Sequence, residues 1–313
     1  MNWISVSLAA YLLLAFCFIL DKLLLKKNIS NPSVYAFYMA LLSLGVLFLL
    51  PFGVRWLDWN FFFVSIIFGI IFIWGLVYFY KAVKVNEISR IAPLVGTITQ
   101  IFTFLIAVLF FDKAISGHNY FGLFLLIVGG FLVSFDLPLK YKKLTKGLAD
   151  SIAGGFLLAA AYSGFDYVYD LYEANYGASG SFINGFFWTR IGLFLGGLSL
   201  LIVGKYRTEI KKTIFGKKKK HQRSRNLKTI SLFLLNKIFG GTSSILSNNA
   251  IYLGGAVFVQ AMSSAQFVFV LILAAIMAAK HPDIFEEKLY FWDWAQKIMA
   301  IGMIVAGVVL VSV

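Results

Sequence analysis

Ten apolar runs, each long enough to cross a lipid bilayer as a helix, follow one another along the chain. A transmembrane helix takes ~20 mainly apolar residues, whereas a barrel strand takes ~10 with strict alternation. Stretches such as LFLLIVGGFLVSF and FVFVLILAAIMAA do not alternate, so the runs read as helices. Their limits are about 3–20, 34–54, 59–80, 91–111, 118–136, 149–171, 181–204, 229–250, 255–279 and 290–313. Breakers fall between them at Asn31-Pro32, Leu137-Pro138 and His281-Pro282. Composition agrees: 60% of the 313 residues are hydrophobic, 13% are charged and the mean hydropathy is +0.84. Soluble domains run near ~45–50% apolar and ~25% charged, so a soluble, disordered or fibrous chain is excluded. The expectation is an all-α polytopic membrane protein of ten transmembrane helices.

Charge placement predicts orientation. Of 28 basic residues, most lie in odd-numbered loops, and the loop at 205–228 carries eleven, including the run GKKKKHQRSR at 216–225. Even-numbered loops hold little beyond Arg55 and Lys113. Basic loops stay cytoplasmic, which places both termini outside. The formal net charge of +14 therefore points to anionic lipid headgroups at the 205–228 loop and not to nucleic acid. A single cysteine, Cys17, and three scattered histidines, His118, His221 and His281, offer no disulfide and no metal set, so no cofactor is expected.

The chain also resembles itself. AAYLLLAFCFILDK at 9–22 aligns with GGFLLAAAYSGFDY at 154–167, placing Asp21 opposite Asp166. QIFTFLIAVLF at 100–110 aligns with QFVFVLILAAI at 266–276, placing Gln100 opposite Gln266. IVGGFLVS near 127–134 answers IVAGVVLVS near 304–312. Two five-helix units, 1–146 and 147–313, follow. Five is odd, so the second unit sits inverted relative to the first, the architecture of many secondary transporters with a site at the repeat interface.

The segment 78–134, YFYKAVKVNEISRIAPLVGTITQIFTFLIAVLFFDKAISGHNYFGLFLLIVGGFLVS, resembles the second part of an EamA repeat of the drug/metabolite transporter superfamily. An Ala-rich start to the fourth span, the acidic Asp112 before a short loop and a glycine-bearing last helix carry the likeness. The second copy departs from it in the longer loop AAKHPDIFEEKLYFWDW. The resemblance implies ten helices and alternating-access transport of small solutes, commonly outward and often proton- or exchange-driven. Members usually keep both termini cytoplasmic, opposite to the charge placement here; two inverted halves work in either orientation.

A charge near the bilayer centre costs ~2.5–3.5 kcal/mol on insertion scales and needs a partner or water. Arg190 lies well inside the seventh span, and Asp166, Asp170 and Glu173 form an i, i+4, i+7 stripe ending the sixth, interleaved with Tyr162, Tyr167, Tyr169 and Tyr172. An Asp166–Arg190 pair beneath a tyrosine-rich vestibule is one reading; an ion pair that only serves packing is the other. Lys237, in the eighth span, is a candidate anchor for a carboxylate or phosphate, or a snorkelling lysine. Ser243, Ser244, Ser247, Asn248 and Asn249 add polar groups to the same helix. Gln100 and Gln266 are candidate cavity residues, Trp74, Tyr78 and Trp188 candidate aromatic walls, and Asp21 or Asp166 a candidate proton carrier. Gly192 and Gly196 form a GxxxG suited to tight packing.

The leading expectation is a secondary transporter of a small polar or amphiphilic metabolite in a plasma membrane, with the prokaryotic inner membrane preferred. The binding site would be lined by spans one, three, four, six, eight and nine. A lipid-handling or non-transporting membrane subunit is the alternative, and a homodimer stays open. An intramembrane enzyme would need a metal set or a serine with a base, and neither occurs within the spans.

Overall fold

A computed structural model describes residues 2–25, 31–85, 88–111, 117–133, 147–215, 226–280 and 291–312. Among these the chain is helical, with no strand. The helices are α1 (Trp3–Leu25), α2 (Pro32–Leu42), a 3-10 segment (Ser43–Phe52), α3 (Trp59–Val85), α4 (Ile88–Phe110), α5 (Gly117–Val133) and α6 (Leu148–Tyr176). They continue as α7 (Ser181–Ser199), α8 (Gly204–Phe215), α9 (Asn226–Gly254), α10 (Ala256–Met262), α11 (Ser264–Lys280) and α12 (Phe291–Ser312). A helix thus covers each of the ten apolar segments. Six are long and apolar enough to cross a membrane, or seven if the bent pair α7–α8 is one span; Asn119–Val133 and Ala295–Val311 are apolar but shorter. Large apolar side chains cover the outside, Phe48 and Ile202 being 84% and 82% exposed. Such a surface suits acyl chains and would be unfavourable in water.

Three segments differ from their expected form. The second span is not one α-helix, because α2 tightens into a 3-10 turn at Ser43 that runs to Pro51 and Phe52, and Gly53 ends it at φ 95°. Proline has no N–H to donate to the α-ladder, and a left-handed residue after a helix favours glycine. The seventh span stops at Ser199, and α8 leaves it at 96°. Tyr206 and Ile210 of α8 are buried, whereas Lys205, Arg207, Lys211 and Lys212 are exposed. The first half of the expected polybasic loop is therefore an amphipathic helix; the run 216–225 lies outside the described residues. The ninth span breaks at Ser263 into α10 and α11.

The ends of the bundle are sorted. At one end Ser33 Oγ donates to Glu209 Oε2 at 2.6 Å, and the Trp74 and Tyr206 rings lie 6.0 Å apart. The start of α2, the last turns of α3 and α8 thus share an end. At the other, the Arg55 amide donates to Asn184 Oδ1 at 2.8 Å and Trp188 Nε1 to the Arg55 carbonyl at 3.1 Å. There Asp58 caps α3: its Oδ1 accepts the Phe61 amide at 2.7 Å and its Oδ2 accepts the Tyr176 hydroxyl. The Tyr176 hydroxyl first, then the Phe61 amide, hold the Asp58 carboxyl below its ordinary range.

Close helix approaches follow glycine. A Cβ on Gly192 would lie 2.8 Å from the Ser65 carbonyl oxygen, and one on Gly69 2.4 Å from the Gly192 carbonyl carbon, so α3 and α7 touch backbone to backbone. Gly196 extends this contact along α3 against Ile70 and Ile73. Gly122, Gly129 and Gly307 do the same between α5 and α12. The other main packings are α3 on α6, α1 on α9, α4 on α6, α1 on α11, α2 on α7 and α4 on α10.

Candidate functional site

Antiparallel helices joined by a short turn bring residues equidistant from that turn together. Gly177 and Gly180, at φ 82° and 85°, make the turn between α6 and α7. Seven residues before the end of α6 stands Tyr169 (176 − 169 = 7), and nine after the start of α7 stands Arg190 (190 − 181 = 9). Gly185 lets the helices close, because a Cβ there would lie 2.6 Å from the Tyr169 ring.

Arg190 is 5% exposed. Its guanidinium carbon lies 4.5 Å from the Phe186 ring centroid and 5.5 Å from that of Phe165. The hydroxyls of Tyr169 and Tyr162 are within electrostatic reach of it. Tyr169 is also within electrostatic reach of Asp166 and donates to Asn248 Oδ1 at 3.5 Å. The Asp166 carboxylate lies beside Gly255, about where α9 gives way to α10. Tyr11 of α1, which donates to the Val259 carbonyl of α10 at 2.6 Å, interacts in turn with Tyr162. Five helices, α1, α6, α7, α9 and α10, therefore meet around one buried cation.

That cation is not saturated. Arg190 Nε and Nη2 are buried and, among the described residues, hydrogen-bond nothing. Leaving a buried donor unmade costs about 1–3 kcal/mol, and more when the group is charged. Native interiors keep such groups rarely.

The acidic stripe divides. Asp166 is buried, while Asp170 and Glu173 are exposed, Glu173 reaching the Tyr252 hydroxyl. Asn249 is half-buried, and its neighbour Asn248, turned about 100° around the helix, is the residue that meets Tyr169. Asp21 lies on α1, with its side chain outside the described residues. Asp112 and Tyr290 lie outside them as well, and Phe291, Trp292 and Trp294 lie on α12 with their side chains outside the described residues.

The remaining candidates are elsewhere. Lys237 Nζ donates to the Tyr35 hydroxyl at 2.8 Å and sits 4.4 Å from that ring's centroid, against α2. Trp74 Nε1 donates to Ser199 Oγ at 3.1 Å near α8. Trp188 belongs to a rim cluster at the opposite end, 5.2 Å from Trp56 and 5.5 Å from Phe62. Tyr78 lies under Lys81, 4.4 Å from its ammonium. Gln100 and Gln266 are both buried. Gln100 Nε2 donates to Ser263 Oγ at 3.0 Å and Ser264 Oγ at 2.8 Å, at the break between α10 and α11, and Ser264 donates to the Leu126 carbonyl at 2.8 Å. Gln266 Nε2 is without a hydrogen-bond partner among the described residues.

Sequence reasoning identified Arg190, Asp166 and Tyr162, and it missed Tyr11, Phe165 and Phe186 as members of their surroundings. A tyrosine in an apolar run of an aromatic-rich chain carries no distinguishing mark; only the carbonyl at Val259 sets Tyr11 apart. Compared with known proteins, the chain matches no family model and no curated sequence.

Proposed function

We propose that the protein is a secondary transporter that moves a small polar or amphiphilic solute by alternating access, with Arg190 at its binding site. One observation carries this reading: a buried cation with unpaired donors where helices of 1–146 and 147–313 meet. A static structural protein gains nothing from that cost, whereas a protein with a transient ligand recovers it on binding.

The packing of the helices supports an inverted pair of five-helix units. Exchanging the two units carries α3-on-α6 into α9-on-α1 and α4-on-α6 into α11-on-α1, and it returns α5-on-α12 and α2-on-α7 to themselves. The α3–α7 glycine contact is the asymmetric part. In this reading α3, α6 and α7 move as one body, and the break at Ser263 and the bend at Gly255 are where α9 to α11 change angle. Asp166, beside Gly255, is placed to carry a coupling proton through that motion. The basic α8 end faces the cytoplasm, held there by anionic headgroups, at ~1 kcal/mol per Lys or Arg near the surface.

The test is solute counterflow. Purified protein in liposomes should give saturable uptake of a labelled metabolite driven by the same unlabelled metabolite inside. No saturable counterflow across a broad metabolite set would sink the reading. The exposed basic face of α8 favours a second one, a lipid-contacting subunit; it predicts binding to anionic vesicles with no counterflow at all.

A further inference from the structure

The two unpaired atoms of Arg190 are not any two. Nε–H and the Nη2–H on the same side of the guanidinium point in parallel, forming the side-on edge that donates to both oxygens of a planar anion. Were the unpaired donors scattered, a water or a single carbonyl could serve each; a two-donor edge asks for two acceptors at fixed spacing. From this edge and its surroundings we propose that the transported solute is an organic monocarboxylate with an apolar or aromatic body, clamped by Arg190. The proposal rests on the transporter reading and names its substrate class.

Three features narrow the class. The ring faces of Phe165 and Phe186 flank the guanidinium, and Tyr162 and Tyr169 complete its surroundings, so what adjoins the carboxylate meets aromatic carbon. A single negative charge matches the guanidinium's single positive charge, whereas a dianion would leave a net charge in a low dielectric. Asp166, the buried acid near Tyr169, holds its proton while the anion is bound, in keeping with the proton-carrying role above, so the site balances one cation with one anion. Arginine keeps its charge at every usable pH, so the loss of binding in acid should follow ionisation of the ligand and not of Arg190.

The experiment is calorimetric titration of full-length protein in nanodiscs with acetate, hexanoate, benzoate and 3-phenylpropionate. Inorganic phosphate, 3-phenylpropanamide and 2-phenylethylamine are the controls. The expected result is saturable binding of the carboxylates with larger apolar bodies, and at least tenfold weaker binding of amide, amine and phosphate. Affinity should fall as pH drops through the probe's own acid range. Arg190→Lys keeps the charge and loses the edge, and should weaken binding at least tenfold; Arg190→Gln should abolish it. Should either variant fail to elute as a monodisperse peak, Tyr169→Phe and Asn248→Asp serve instead, the latter bringing a new negative charge that should expel the anion. No carboxylate binding, equal binding of acid and amide, or undiminished binding by Arg190→Gln would overturn the proposal. Carboxylate binding without counterflow would keep the anion site and remove the transporter; counterflow of a neutral or cationic solute, unaffected by Arg190→Gln, would do the reverse.

Discussion

Two of the polar regions buried in this bundle leave different kinds of group without a hydrogen bond. Around the α10–α11 break, Gln100 gives both hydrogens of its amide to serines, and Ser264 passes its own to the Leu126 carbonyl. The groups left over there, such as Gln100 Oε1, Thr97 Oγ1 and Gln266 Nε2, are neutral. Around Arg190, the group left over is a cation with a two-donor edge. Depth does not separate the regions, since Gln100 and Arg190 are 2% and 5% exposed. Charge does. A neutral amide that closes a helix break contributes to architecture, whereas an unpaired charge costs stability, which a bound anion would return in the transporter reading.

The sharpest way to break this comparison is to remove both polar groups. Arg190→Met should cut counterflow by on the order of 100-fold, the scale for losing one member of a buried charged contact, while the thermal midpoint holds or rises. A midpoint that falls together with activity would make Arg190 a structural residue. Next in size, Gly192→Ala puts a methyl 2.8 Å from the Ser65 carbonyl oxygen, where only a backbone shift relieves it. We expect a loss of about 1–3 kcal/mol from overpacking, with weakened transport because α7 carries Arg190. Gly241→Ala is its control: nothing lies within 4 Å of the new methyl, and the helix should gain about 0.5–1 kcal/mol. Denaturation of the two variants in parallel decides this.

Gln100→Leu should cost about 1–2 kcal/mol through the lost serine contacts and leave the KM for the transported solute unchanged. A KM change without a stability change would return Gln100 to the binding site. The smallest effect concerns pH. Asp58 has its carboxyl held below the ordinary range, so its contribution is complete above that range and disappears as pH falls through the lowered value. The wild-type midpoint should therefore drop in acid more than that of Asp58→Asn, while the two proteins keep the same carboxylate affinity as each other at every pH. A difference in affinity between the two would tie this exposed end to the Arg190 region.

Much of the bundle was readable from the chain, and the errors share a cause. The apolar run through Leu200, Leu201, Ile202 and Val203 looks continuous with the seventh span, yet the helix stops at Ser199 and α8 turns away by 96°. No proline marks the spot. Tyr206 and Ile210 bury against α2 and α3, and that packing bends the chain. Ser263 breaks the ninth span with helical dihedrals of its own, supported by a glutamine far away in sequence. Asn248 and Asn249 could not be told apart because an apolar helix has no readable inward face. Arg190 stood out at once, since a charge inside a span needs a reason wherever it points.

What the chain determined alone is the set of helical segments, the crowding of basic residues into alternate loops and the presence of a cation among apolar residues. These are demands of the bilayer on consecutive residues, and consecutive residues can be counted. Tertiary structure decided where helices break, which asparagine turns inward and whether a buried donor finds an acceptor. Those outcomes depend on atoms more than a hundred positions apart, as Gln100 with Ser263 and Tyr11 with Val259 illustrate. Hydrogen-bond satisfaction is a property of assembled neighbours, so no reading along one helix could have found that Arg190 keeps an open edge.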